Sequence, residues 1–238
     1  MLGLPDAITA CLFDLDGVLT KTAEVHARAW KQTFDVFLKA RGEKPFDLVR
    51  DYDEYVDGKP RLDGVRDFLA SRGIELPEGA PDDPPDAQSV NGLANAKNEL
   101  VLRLIREEGV EPYEGSVRYL HAARDAGLRR AVVSSSHNCH DVLVAAGIED
   151  LLEVRVDGVV AEERHLDGKP APDTFLEAAR ILSVAPEHAA VFEDALAGVQ
   201  AGRAGGFGCV VGVDRAGQRE ALLAHGASVV VDDLADLL

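Results

Sequence analysis

The sequence predicts an α/β fold: a Rossmann-like parallel sheet core with helices on both faces, plus an inserted all-helical cap domain after the first strand. Two observations carry this expectation. Short, unbroken apolar runs alternate with helical stretches through the second half of the chain, as in parallel sheets covered on both faces. One further run of the same kind stands alone near the N-terminus, and the long stretch after it reads as helix and loop.

The isolated strand is Thr9–Phe13. Between about residues 23 and 110 no strong strand follows it. Glu24–Lys39 is amphipathic, Leu62–Ser71 is a helix stopped by Gly73, and Asn91–Glu108 is a helix stopped by Gly109. Residues 77–86 hold Pro77, Pro81, Pro84 and Pro85 among several acids and read as a loop. Beyond them come a strand at Ala131–Val133 and a helix at Asp141–Ala146 that ends on Gly147. A helix after Pro172, with Asp173 in its first turn, leads to a strand at Ala189–Phe192 and a helix at Ala195–Ala204. Strands at Cys209–Val211 and Ser228–Val231 complete the pattern. The expected domains are a core of residues 1–22 and 111–238 and a cap of residues 23–110. The chain shows no internal repeat.

Composition narrows the function. The 238 residues carry a formal net charge of −17 and a hydrophobic fraction of 46%. That fraction suffices for a core. The charge argues against nucleic acid or anionic membrane as a partner. No apolar run approaches a membrane span, and the N-terminus lacks the basic start of a signal peptide. The three cysteines, Cys11, Cys139 and Cys209, form no CxxC and fit a reducing cytoplasm. The expected localisation is cytoplasmic, and the expected state a monomer or weak oligomer.

Four clusters carry chemistry. Asp14 and Asp16 end an apolar strand, and Gly17 lets the chain turn at once. In open parallel sheets, ligands sit beyond the carboxyl ends of strands. A carboxylate there can attack phosphorus, and a second can pass protons to and from the exchanging oxygen. Glu193 and Asp194 end another strand in the same way. Acids from two strand ends make a hard oxygen site suited to Mg2+. Ser134 and Ser135 follow the strand Ala131–Val133, where hydroxyls and amides can hold phosphate oxygens. Lys169, fixed between Gly168 and Pro170, offers a point charge for phosphate.

In this order the clusters resemble the haloacid dehalogenase superfamily, most clearly at Phe13–Thr22 and Gly168–Gly198. The resemblance covers almost the whole chain. It implies Asp14 as nucleophile and Asp16 as general acid/base. It implies Mg2+ held by Asp14, the Asp16 carbonyl, Glu193 and Asp194, with the transferring phosphate on Ser134, Ser135 and Lys169. Within the superfamily, Thr20–Lys31 is similar to the cap entrance of the beta-phosphoglucomutase group. That likeness implies a small phosphorylated sugar as substrate, and Thr22, His26, Trp30, Arg61, Lys97 and Asn138 as its contacts. Arg61 maps onto the ligand of the distal phosphate.

Two departures from the group stand out. Lys21 occupies a position usually held by an acid, and removes an expected partner of His26. The loop at 77–86 is longer than the group needs, and is expected to reshape the cap and enlarge the acceptor pocket. The residues leave open a sugar-phosphate mutase and a sugar-phosphate phosphatase. A dehalogenase would have no need of Asp16 or the metal acids, and a non-catalytic binding protein would have no need of the charged set.

Overall fold

The computed structural model describes residues 2–238. The first strand, β1 (Ala10–Phe13), is wholly buried. The chain then enters a run of helices: α1 (Thr22–Lys39), a π-helical turn at Tyr52–Val56, α2 (Arg61–Ser71) and α3 (Val90–Glu108). After α4 (Glu114–Asp125) it returns to the sheet as β2 (Arg129–Val133), α5 (Cys139–Ala146), β3 (Val154–Val156) and α6 (Gly158–Arg164). It continues through α7 (Asp173–Leu182), β4 (Ala189–Glu193), α8 (Leu196–Ala204), β5 (Cys209–Val213), α9 (Arg219–His225) and β6 (Val229–Val231).

The six strands are all parallel, in the order β3-β2-β1-β4-β5-β6. Burial follows from that order. The central strands β1, β4 and β5 are buried at every residue, and the edge strands β3 and β6 only in part. Side chains alternate between the faces. Ala10 and Leu12 join a core with Val191, Phe175 and Leu182, beneath α7. Phe13 turns the other way, to Tyr119 of α4 at 6.2 Å between ring centroids. Both faces are therefore covered, which explains the unbroken apolar runs. No helix among the described residues is long and apolar enough to cross a membrane. The three cysteines are free and buried.

The chain divides into two compact units, Met1–Lys21 with Val110–Leu238, and Thr22–Gly109. In the first, the two linker ends are tied together. Lys21 N donates to Glu111 O (2.9 Å), Tyr113 N to Leu19 O (2.9 Å), and the Lys21 ammonium lies 2.8 Å from Glu111 Oε2. Lys21 is thus paired across the linkers.

The second unit is all helical. Its core is aromatic: Trp30, Phe34, Phe46 and Phe68 pack together, with Phe34 and Phe68 centroids 4.1 Å apart. The amphipathic period of α1 puts Trp30, Phe34, Phe37 and Leu38 on its buried side. The proline-rich loop is held on α3 by two amides. Asn91 Nδ2 donates to Glu78 O (2.9 Å), and Asn95 Nδ2 to Pro81 O (3.0 Å) and Asp83 O (2.9 Å). Ser89 caps α3 by accepting from Gly92 N.

Three helices and one strand were not expected from the sequence. Strand β3 has only three residues and an exposed Arg155 at its centre. Helix α4 is preceded by Tyr113, whose side chain makes no cap bond, and α6 and α9 have seven residues each. Strand β3 and helices α6 and α9 are too short to carry a readable period, while α4 lacks a side-chain start signal.

Candidate active site

Strand register assembles the site. Phe13 pairs with Val132 on one side and Phe192 on the other. Asp14, just past β1, and Val133 and Glu193, the last residues of β2 and β4, therefore stand side by side at the carboxyl edge of the sheet. Asp14 N donates to Phe192 O at 2.9 Å, and Ser134 N to Val156 O at 3.0 Å. A one-residue slip of β1 would turn Asp14 to the other face.

Lys169 reaches this edge from the loop before α7. Its ammonium lies 2.5 Å from Asp14 Oδ1, 2.6 Å from Glu193 Oε1 and 3.2 Å from Val133 O. The three donor protons of a lysine are thereby used. Asp14, Glu193, Asp194, Lys169 and Ser134 are all buried, while Asp16 is partly exposed. Burial, opposed by Lys169 but reinforced by Glu193 and Asp16, holds the Asp14 carboxyl well above the usual carboxylate range. Burial alone would lower the Lys169 ammonium, but Asp14 and Glu193 outweigh it and keep the lysine charged.

The donor set fits a divalent cation. One ligand atom from each of Asp14, Glu193 and Asp194 lies within 4.8 Å of the others. Three buried carboxylates face a single ammonium, an imbalance that a hard cation would relieve. Two glycines make room for these acids. A Cβ on Gly17, whose φ is +89°, would lie 1.7 Å from Asp194 Oδ2. A Cβ on Gly198 would lie 1.7 Å from Glu193 Oε1. The second Glu193 oxygen accepts from Ala195 N at 2.9 Å.

Beside the acids, Ser134 Oγ accepts from Ser136 N (3.1 Å), and Ser136 Oγ from Asn138 N (3.1 Å). These bonds hold Ser134, Ser135 and Asn138 in one turn ahead of α5. Sequence reasoning picked out these residues but missed two that brace the turns, Arg215 and Gln218. Arg215 Nε donates to Gly17 O (2.9 Å) and Gln218 Nε2 to Asp194 O (3.1 Å). Their position just after a third strand end was the available signal.

The remaining expected residues lie in the helical unit. Thr22, His26 and Trp30 stand at successive fourth positions of α1, on one side of the helix. Lys97, buried on α3, lies 2.9 Å from His26 Nδ1 and 4.8 Å from the centre of the Trp30 ring. An ammonium only donates, so a charged Lys97 makes Nδ1 the acceptor. Trp30 also stacks on Phe34 at 5.1 Å and belongs to the unit's core. Arg61 is the first residue of α2; its Nε is buried without a hydrogen-bond partner, and burial lowers its pKa from the ordinary value.

A family model described as haloacid dehalogenase-like hydrolase matches residues 8–206. A protein of Mycobacterium bovis named Beta-phosphoglucomutase is 56% identical over 247 aligned positions, spanning 100% of this chain and 94% of that protein. Among solved structures, beta-phosphoglucomutase from Clostridium difficile superposes with a TM-score of 0.78 at 26% identity, covering 97% of this chain and 93% of that one. CbbY from Rhodobacter sphaeroides, in complex with xylulose-(1,5)bisphosphate, gives a TM-score of 0.69 at 25% identity, covering 96% of each chain.

Proposed function

Since the chain belongs to the haloacid dehalogenase-like hydrolase family and is an enzyme of its beta-phosphoglucomutase-like group, we propose that it interconverts phosphate esters of a sugar through a phosphorylated Asp14. The observation that carries this reading is the 56% identity to the mycobacterial Beta-phosphoglucomutase along the whole chain. The likeness therefore includes the helical unit, where acceptor selection would reside.

In the proposed reaction a carboxylate oxygen of Asp14 attacks one phosphorus of a sugar bisphosphate, and a sugar monophosphate departs. The bond from phosphorus to the sugar oxygen breaks, and Asp16 gives that oxygen a proton. In the return step a hydroxyl of the isomeric sugar monophosphate attacks the aspartyl-phosphate and regenerates the bisphosphate. Asp16 takes its proton, the acyl-phosphate bond breaks, and Asp14 is restored. Asp14, Glu193, Asp194 and the Asp16 carbonyl would hold Mg2+, which supplies charge neutralisation of the phosphoryl oxygens when bound. Lys169 orients Asp14 and places its positive charge beside the transferring group. Ser134 and Ser135 are proposed to hold the phosphate oxygens with hydroxyl and amide donors. Thr22, His26, Trp30, Lys97 and Asn138 are proposed to recognise the sugar, and Arg61 its second phosphate, consistent with a buried guanidinium nitrogen that has no bond of its own.

Phosphorus NMR tests the reading. With β-glucose 1-phosphate, Mg2+ and a trace of glucose 1,6-bisphosphate, glucose 6-phosphate is expected to accumulate. Release of free phosphate without glucose 6-phosphate would replace the mutase reading with a phosphatase. Full activity in the presence of a chelator would overturn the metal assignment.

A further inference from the structure

The segment after β5 touches both acid-bearing turns through their backbones. Arg215 Nε donates to Gly17 O at 2.9 Å, one residue beyond Asp16. Its Nη1 donates to Asp232 O at 2.8 Å and lies 3.4 Å from Asp233 Oδ2. Its guanidinium carbon stands 3.6 Å from the centre of the Tyr113 ring. With 19% of its side chain exposed, the arginine is a clamped element and not a solvated one. Three residues later, Gln218 Nε2 donates to Asp194 O at 3.1 Å, while its own N donates to Asp214 Oδ1 at 2.8 Å. The two turns meet where the Asp194 carboxylate fills the space beside Gly17.

From this geometry we infer that Arg215 and Gln218 are positioning residues for the cation site, and that they set the distance between the Asp16 turn and the Asp194 turn. This rests on the Mg2+ site of the proposed function. The reason is geometric. Mg2+ demands near-ideal octahedral geometry, whereas Ca2+ accepts irregular, longer coordination. Donors that come from two separate turns meet that demand only if the turns are fixed to each other. Outer partners of this kind typically change metal affinity by about 10–100-fold when removed. The sign separates positioning from charge. Deleting the positive Arg215 near a cation site would, by charge alone, tighten cation binding. Loss of positioning weakens it, and the uncharged Gln218 acts in the same direction.

The test is calorimetric titration of Mg2+, then Ca2+, into the substrate-free full-length protein, as wild type, Arg215→Ala, Arg215→Lys and Gln218→Ala. Thermal melts in chelator establish which variants are folded. The expected result is Mg2+ affinity about 10-fold weaker in Gln218→Ala and Arg215→Ala, with a smaller change for Ca2+. Arg215→Lys should not restore it, since an ammonium lacks the planar fork that spans two carbonyls. If Arg215→Ala fails to fold, Gln218→Ala decides alone. Unchanged or tighter Mg2+ binding in the folded variants would overturn the inference. A wild type that binds no Mg2+ would instead overturn the metal site of the proposed function, and the inference with it.

Discussion

The Lys169 ammonium sits between Asp14 and Glu193, 2.5 Å from the first carboxylate and 2.6 Å from the second. It is the ammonium that offsets the buried acids. Removing one partner of a buried charge cluster typically costs about 3–5 kcal/mol, so Lys169→Met should lower stability by that order. The loss should depend on pH. Asp14 already has its folded pKa raised, so the folded state holds a proton that the unfolded state releases, and stability falls as pH rises. Without the lysine this fall steepens. Urea unfolding in chelator at pH 5 and pH 8 should show a larger deficit at pH 8, and added Mg2+ should narrow it.

Gly198 separates fold from site. A methyl group there meets Glu193 Oε1 at 1.7 Å, yet Gly198 lies within α8, where alanine is the better helix former by about 1 kcal/mol. Gly198→Ala should therefore keep a cooperative melt while pushing Glu193 from its place against Lys169. Mg2+ affinity is expected to fall about 10–100-fold, read by titration on the folded variant. Gly17→Ala is the harsher change. Its φ of +89° and the 1.7 Å approach to Asp194 Oδ2 strain the turn itself, and both metal binding and melting temperature should drop.

The proposed division of labour between Asp14 and Asp16 predicts two kinetic outcomes. Asp14→Asn should abolish turnover, because an amide cannot form the acyl-phosphate. Asp16→Ala should slow both half-reactions by about 10²–10⁴-fold. A leaving group that needs no proton should recover much of the first half-reaction in Asp16→Ala. Stopped-flow release of a chromogenic phenol phosphate would measure that recovery.

How far the sequence disclosed this centre depends on how local each signal was. Asp14, Asp16, Gly17, Glu193 and Asp194 announce themselves because an apolar run stops abruptly on acids. Strand pairing is not visible in such runs, so the meeting of Lys169 with two acids, 155 and 24 residues away in sequence, was not legible from chain position. Arg215 and Gln218 follow a strand that ends on Val213, with a weaker polar break and contacts made to backbone oxygens. The expected loss of a His26 partner at Lys21 took no account of Lys97, 71 residues beyond His26, which pairs with the imidazole.

Asp53 carries a pH signature of its own. It lies in the π-helical turn, and burial, with the nearby Asp47, raises its carboxyl to about 6 from 3.8. A raised acid favours the folded state at low pH, and that advantage is lost between about pH 4 and 6 as the group ionises. Two pH units would amount to at most about 3 kcal/mol. Half exposure reduces this to about 1 kcal/mol. Asp53→Asn should stabilise the protein by that order at pH 8 and leave it unchanged at pH 4, as measured by denaturant midpoints.

The bond from Lys21 N to Glu111 O has a consequence for the architecture as an assembly of parts. Departure and return points for eighty-eight intervening residues, Thr22–Gly109, are stapled to each other within the sheet-bearing unit. A short turn could join them directly, leaving the crossover from β1 to β2 intact. The helical insert is thus a removable cassette: it can be shortened, lengthened or exchanged for another without rethreading the sheet.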